Sequence, residues 1–212
     1  MLIDEIIPIN KDRSTVKLDT GEHFVLYKGE LRILKLKEGT ELSDECYGQI
    51  MTVVLPKRAK LRAMNLLKVR PYTEYNLKKK LEDGGYPEAV IEEALEYVKS
   101  YGYVNDKAYA IDFIKSQTEA HSKKEIYLKL SQKGIQKEVL DAAFNETYGS
   151  YKEDRFETSF DETGVILKTL KKKGFTGSES YEDRQKMLAY FYRRGFDMDK
   201  VYRAMDELKN EE

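Results

Sequence analysis

Apolar residues recur along the chain with two periods, and the change from one to the other divides it. Over the first 36 residues the period is two. Thr15-Val16-Lys17-Leu18 alternates, Asp19-Thr20-Gly21-Glu22 carries turn chemistry, and His23 to Tyr27 resumes a β-branched and aromatic run. This predicts a hairpin, with Leu2 to Ile9 as a third strand. Gly39 marks a turn, and Ser43 followed by Asp44 and Glu45 reads as an N-cap with acids at the positive end of a helix. From there on apolar residues fall three and four apart, and the chain reads helical.

Three helical segments align on a glycine. Leu77-x3-Leu81-x3-Gly85-Tyr86 matches Ile126-x3-Leu130-x3-Gly134-Ile135 and Met187-x3-Phe191-x3-Gly195-Phe196. The match runs on through Ile91, Ala94 and Leu95, then Leu140, Ala143 and Phe144, then Val201, Ala204 and Met205. Apolar residues at i and i+4 share one helix face, a glycine at C′ takes the left-handed conformation that ends a helix, and the next apolar residue folds back onto a second helix. Leu81, Leu130 and Phe191 are therefore expected to be buried at equivalent positions, and Gly85, Gly134 and Gly195 to have positive φ. Thr73 caps the first pair, Ser122 with Glu125 forms a capping box in the second, and Ser180 with Asp183 approximates one in the third.

A further amphipathic stretch precedes each pair: Leu61, Met64 and Leu67; Ala108, Ile111, Phe113 and Ile114; and Val165, Ile166, Leu167 and Leu170. The glycines lie 49 and 61 residues apart, so the third copy holds about twelve extra residues, placed at Gly174 to Ser180 and its flanks. The expected fold is mainly α, with tandem three-helix repeats forming an elongated curved solenoid behind a small N-terminal antiparallel β segment. Residues 1–40 form that extension, 41–104 a first repeat with a leading helix, 105–147 a second, 148–161 a polar linker and 162–212 a third. Because the two periods differ, the strands are expected to be separable from the repeats.

Composition narrows the chemistry. Cys46 is the one cysteine, and with only His23 and His121 beside it no internal disulfide or Cys/His zinc site can form. The start lacks a basic leader and no apolar run is long enough to span a bilayer, so a cytoplasmic protein without a membrane partner is expected. Phosphate-loop, dinucleotide, nucleophile-elbow and zinc-protease motifs are missing, and acidic pairs are ordinary in a chain with 35% charged residues. Neither an enzyme nor a cofactor is expected, and the chain is expected to act as a monomer.

The net charge of −1 hides an uneven distribution. Residues 57–80 hold Lys57, Arg58, Lys60, Arg62, Lys68, Arg70, Lys78, Lys79 and Lys80 against Glu74 alone, a local charge of +8, whereas residues 1–55 sum to −3. Two readings stand: a solvated face, or a basic surface attractive to phosphates or to an acidic protein. Lys123, Lys124, Lys129 and Lys133 form a weaker second group, and Lys171 to Lys173 before Gly174 suit the negative end of a helix. Of the 16 tyrosines most are read as core, Tyr86, Tyr97 and Tyr101 among them, which leaves Tyr72 and Tyr75, beside Arg70 and the 78–80 lysines, as candidates for binding a partner. His121 reads as an ordinary polar loop residue.

These segments resemble the RecX regulatory proteins of bacteria, which are built of tandem three-helix repeats. The resemblance is carried by VRPYTEYNLKKKLEDGGY (69–86) and GYVNDKAYAIDFIKSQTEAHSKKEIYLKLSQKGI (102–135). Gly102-Tyr103-Val104-Asn105-Asp106 with Ala110, and Leu130, Lys133, Gly134 and Ile135, match the family's motifs in the second segment; Arg70, Leu77 and Leu81 match in the first. Asn76 and Thr73 depart from the usual Glu and Ser, and basic residues common after Tyr109 are missing. The N-terminal strands look like the extension of members from low-GC Gram-positive bacteria. The resemblance implies a protein that binds the RecA filament on DNA, in its groove, and limits filament assembly, ATP hydrolysis or strand exchange in homologous recombination, DNA repair and the SOS response. The competing class is a helical repeat protein that binds single- or double-stranded DNA directly, without RecA.

Overall fold

The computed structural model describes residues 1–117, 120–148 and 161–210, so the linker read over 148–161 lies, apart from its two end residues, outside the described residues. The chain divides into two compact units, Met1–Asn105 and Asp106–Glu212.

In the first unit, β1 (Ile3–Pro8), β2 (Arg13–Leu18) and β3 (His23–Tyr27) form an antiparallel sheet in the order β1-β2-β3. Period-two alternation turns Val16, Leu18, Phe24 and Leu26 inward, while Arg13, Thr15, Val25 and Tyr27 share the other face through the pairs Arg13↔Tyr27 and Thr15↔Val25. A short helix, α1 (Lys28–Ile33), follows at once, with the Glu30 carboxylate accepting from the Tyr27 N–H at 2.7 Å. Nothing in the pattern of apolar residues announced α1, whose residues are all at least partly exposed.

A longer rod then runs through α2 (Asp44–Gln49), a π-helical segment (Ile50–Val54) and α3 (Leu55–Val69). Ser43 caps it as expected, its Oγ accepting from the Cys46 N–H at 3.2 Å. Pro56 has no N–H to give to the preceding turn, and the rod meets this loss with π winding immediately upstream instead of a break. The α3 stripe that faces inward is Leu55, Ala59 and Ala63. The expected stripe of Leu61, Met64 and Leu67 is out of phase: Leu61 is exposed and the other two are half-buried, because the small alanines let the helix at Glu88–Ser100 approach closely on that side. Helices α4 (Glu74–Glu82) and α5 (Glu88–Ser100) complete the first repeat.

One core holds Ile3, Val16, Phe24 and Leu26 of the sheet together with Ile50, Leu55, Leu77, Leu81 and Val98 of the helices. This corrects the expectation of a separable sheet. The strands differ from the repeat in period but bury their apolar face in the same cluster, so removing either would bare the other.

The second unit contains two repeats: α6 (Asp106–Gln117), α7 (Lys123–Gln132) and α8 (Lys137–Tyr148), then α9 (Glu162–Lys172), α10 (Tyr181–Arg193) and α11 (Met198–Asn210). Each repeat encloses its own apolar cluster, one around Ala110, Ile126, Leu130 and Leu140, the other around Ile166, Leu170, Phe191 and Val201. In α6, Ala110 and Ile114 are the buried positions, whereas Ala108 is exposed. The extra residues of the third copy sit where expected, between α9 and α10, where Glu179 binds the backbone N–H groups of Thr176 and Gly177.

The repeat signature is a helix end. Leu81, Leu130 and Phe191 are fully buried, and the glycines that follow have φ of 76°, 82° and 70°. In each copy the glycine N–H reaches back three residues and the next N–H reaches five, to the carbonyl of Leu81, Leu130 or Phe191, a Schellman closure that satisfies orphan carbonyls of the terminus. Gly85 is further constrained by packing, since a Cβ there would come within 2.3 Å of Val25 on the sheet.

Candidate partner and nucleic-acid interface

Most of the sequence-selected residues lie on α3, α4 and α7. On α3 and α4 the local charge of +8 does not survive folding, because acids from elsewhere arrive beside it. Lys60 pairs with Glu93 at 2.7 Å, Lys78 with Glu88, and Lys80 with Asp83 at 3.2 Å. Arg58 is the most enclosed: it pairs with Glu30 at 3.0 Å, donates to the Val25 carbonyl at 3.0 Å, and lies 4.1 Å from the Tyr27 ring centroid. These four are integrated into the fold of the first unit, so their charge is largely spent on internal partners.

Lys57, Arg62, Lys68, Arg70 and Lys79 are exposed and have no carboxylate within ion-pair distance among the described residues. Two of them face tyrosines. Arg70 stands 4.7 Å from the Tyr72 ring and Lys79 4.5 Å from that of Tyr75, so both tyrosines chosen from sequence present a cation beside an aromatic surface. The Tyr75 hydroxyl holds the Lys79 ammonium above its ordinary pKa, and Lys79 stays charged.

Tyr97 and Tyr101 were expected in the core and are not. On α5 the buried positions are Val90, Ile91, Ala94, Leu95 and Val98, so Tyr97 falls at the margin of the buried stripe, about 90° from its centre, and Tyr101 is the C-cap beyond the helix. Their rings lie 5.0 Å apart, and Tyr101 stacks on Tyr103 at 5.9 Å, giving an exposed row of three aromatic rings. Helical phase alone gives little signal for it, because Val90, Ala94, Tyr97 and Tyr101 follow one another four, three and four residues apart along one ridge.

The second lysine group divides. Lys123 and Lys124 are exposed, the first 5.2 Å from the Phe144 ring and the second packed over Gly195. They border an open groove of about 800 Å³ walled by Tyr127, Leu128 and Phe196. Lys133 lies 5.8 Å and 5.7 Å from the rings of Tyr109 and Phe113. Lys129 is drawn inward instead, to Glu125 at 3.0 Å.

Glu125 is the centre of a joint between the second and third repeats. Its carboxylate also takes Arg194 Nε at 3.0 Å and His121 at 2.9 Å, while Ser122 Oγ donates to the Arg194 carbonyl at 2.6 Å. Burial raises the Glu125 pKa, but the hydrogen bonds from Arg194, Lys129 and His121 outweigh it and hold the group at about 2. The expected capping box is thus only half made. Ser122 accepts from the Glu125 N–H at 3.1 Å, but the carboxylate is engaged with Arg194. His121, read as an ordinary loop residue, belongs to this joint.

Among the residues of the resembling motifs, Leu77, Ile126 and Ile135 are buried, and Asp106 opens α6. No group of three or more potential metal ligands occurs among the described residues, and no helix among them is long and apolar enough to cross a membrane.

Comparison with known proteins places these features. Residues 59–97 match the model of the first three-helix domain of RecX and residues 164–205 that of the third. The regulatory protein RecX of Caldanaerobacter subterraneus subsp. tengcongensis is 30% identical over 208 residues, covering 97% of this chain and 99% of its own. That of Clostridium botulinum strain Alaska E43 is 27% identical and covers 97% and 94%. A crystal structure of a regulatory protein RecX superposes over 100% of this chain and 99% of its own with a TM-score of 0.60 at 22% identity, and that of RecX from Lactobacillus salivarius over 74% and 98% with a TM-score of 0.59 at 20% identity. With three-helix repeats, a three-stranded N-terminal sheet and a relative matched over nearly its whole length, the chain belongs to the RecX family of regulatory proteins.

Proposed function

We propose that this chain binds the RecA filament on DNA and restrains its assembly, ATP hydrolysis and strand exchange, acting as a cytoplasmic monomer in recombination and repair. The observation that carries this reading is the near full-length relationship to a regulatory protein RecX. The surface chemistry suits it. Exposed Lys57, Arg62, Lys68, Arg70 and Lys79 meet an acidic protein or a phosphate backbone, with Tyr72 and Tyr75 adding aromatic area, and the groove beside Lys123 and Lys124 offers an apolar seat with a basic border. Control is by binding alone, since the chain carries no phosphate-loop motif.

RecA-dependent ATP hydrolysis on single-stranded DNA tests it: added chain lowers turnover, hydrolyses no ATP by itself, and binds RecA–DNA filaments far better than bare DNA. The unpaired cations of α3 and α4 support a second reading, a direct nucleic-acid binder. Equal binding to naked DNA with unchanged RecA turnover selects that one.

A further inference from the structure

A cavity on the second face of the N-terminal sheet shares only Arg62 with the reading above. It measures about 360 Å³, and its walls come from three places: the cross-strand pair Arg13 and Tyr27, the residues Arg58 and Arg62 one turn apart on α3, and Lys80 and Tyr86 on either side of the turn after α4. Arg58 is compensated by Glu30, and Lys80 by Asp83, also in the wall. Arg13 and Arg62 have no carboxylate in ion-pair distance among the described residues. Four cations therefore face two carboxylates, a surplus of two positive charges around one small cavity. Buried Arg58 Nε has no hydrogen-bond partner. Guanidinium groups brought together from separate elements repel one another, and an anion between them turns that repulsion into attraction.

We infer that this cavity binds the phosphomonoester of a nucleotide. A dianion matches the surplus of two, whereas a carboxylate or a phosphodiester supplies one charge. Guanidinium forks arriving from different directions suit a tetrahedral group with several acceptor oxygens better than a planar carboxylate, which one arginine satisfies. The cavity is also larger than a phosphate needs and falls within the range of small-molecule sites, and the half-buried Tyr86 ring gives sugar or base an aromatic wall. Burial raises the Tyr86 pKa while Arg58, Arg62 and Arg13 all pull it down, which places the three cations around one hydroxyl. The same phosphomonoester occurs on a free nucleotide and on the 5′-phosphorylated end of a strand. No bond is broken, and the inference does not rest on RecA binding.

The test is calorimetric titration of the full chain with AMP and with a short oligothymidylate, 5′-phosphorylated or 5′-hydroxyl. Saturable binding of one ligand per chain is expected, weakened at least tenfold in an Arg13→Gln/Arg62→Gln double variant. An Arg32→Gln/Lys37→Gln variant, with the same charge change on exposed residues outside the cavity, should stay within twofold. Thermal unfolding checks that both variants fold, and amide shifts of Gly84 and Tyr86 on titration of the unaltered chain give a second readout. Displacement of AMP by the phosphorylated strand alone assigns the strand end; binding of AMP without such displacement assigns the free nucleotide. Absence of saturable binding, equal binding of the 5′-hydroxyl strand, or equal weakening by both double variants overturns the inference.

Discussion

The first repeat and the later two share a helix-end signature but close their open sides differently. The first merges its apolar cluster with a β-sheet, so Phe24 and Leu81 belong to one core. The second and third keep separate clusters and meet through the polar joint of Ser122, Glu125 and Arg194. A repeat can thus be covered by apolar burial, which is large and undirected, or by charged hydrogen bonds, which are fewer and depend on geometry and pH.

Truncation separates the two modes most visibly. Removing residues 1–40 strips the sheet from the shared core, and the first unit is expected to lose its cooperative unfolding transition while the second keeps its own. Circular dichroism with limited proteolysis reads this; a truncated chain with unchanged helical signal and transition would restore a separable sheet.

Acid sharpens the other side. The folded pKa of Glu125 is about 2 against an ordinary 4.5, so its carboxylate contributes stability that is complete above about pH 4.5 and fades as pH falls toward 2. At about 1.4 kcal/mol per pKa unit the contribution is on the order of 3 kcal/mol. Urea unfolding of the second unit across that window should show a flatter pH dependence in Glu125→Gln, and the first unit should be indifferent to the substitution.

Glycine substitution probes the packing against the sheet more locally. Gly85→Ala and Gly102→Ala both place a side chain at positive φ, costing about 1–2 kcal/mol. Only Gly85 also meets Val25, whereas nothing lies near Gly102. The Gly85 variant should therefore unfold at a lower temperature than the Gly102 variant. Equal losses would mean that the sheet yields at no cost.

The smallest effect concerns charge. If DNA is bound, substituting Arg62, Lys68 or Arg70 should shallow the salt dependence of binding by roughly 0.7–0.9 for each phosphate no longer neutralised, while substituting Lys60, held by Glu93, should leave it unchanged. An unchanged slope for all four would return the basic segment to a solvated face.

What could be read from sequence was local. The glycine-terminated pairs, the caps at Thr73, Ser122 and Ser180, and the three strands each depend on residues within a few positions, and the structure has all of them. Long-range partners were not legible. Arg58 meets Glu30 across 28 residues and Lys60 meets Glu93 across 33, so counting charge by segment overstated the basic surface. The phase of α3 was misread because alanine is a weak hydrophobic signal, and Ala59 and Ala63 outrank Leu61 only once α5 is alongside. Glu125 looked like half of a capping box because its true partner, Arg194, is 69 residues away.

The π-helical segment at Ile50–Val54 has a consequence for how this rod tolerates change in length. A π turn holds one residue more than an α turn, so excising a single residue there would restore ordinary winding with little rotation of Asp44–Gln49, whereas excising one from an α turn of α3 would swing them by about 100° about the axis. Tyr47, whose hydroxyl meets Glu22 at 3.0 Å and whose ring lies 6.5 Å from that of Phe24, would keep facing the sheet in the first case and point away from it in the second. The five residues act as a change of thread in a screw. The sheet is seated by the angular setting of the rod, and a one-residue deletion at the π turn leaves that setting nearly intact where the same deletion in an α turn would lose it.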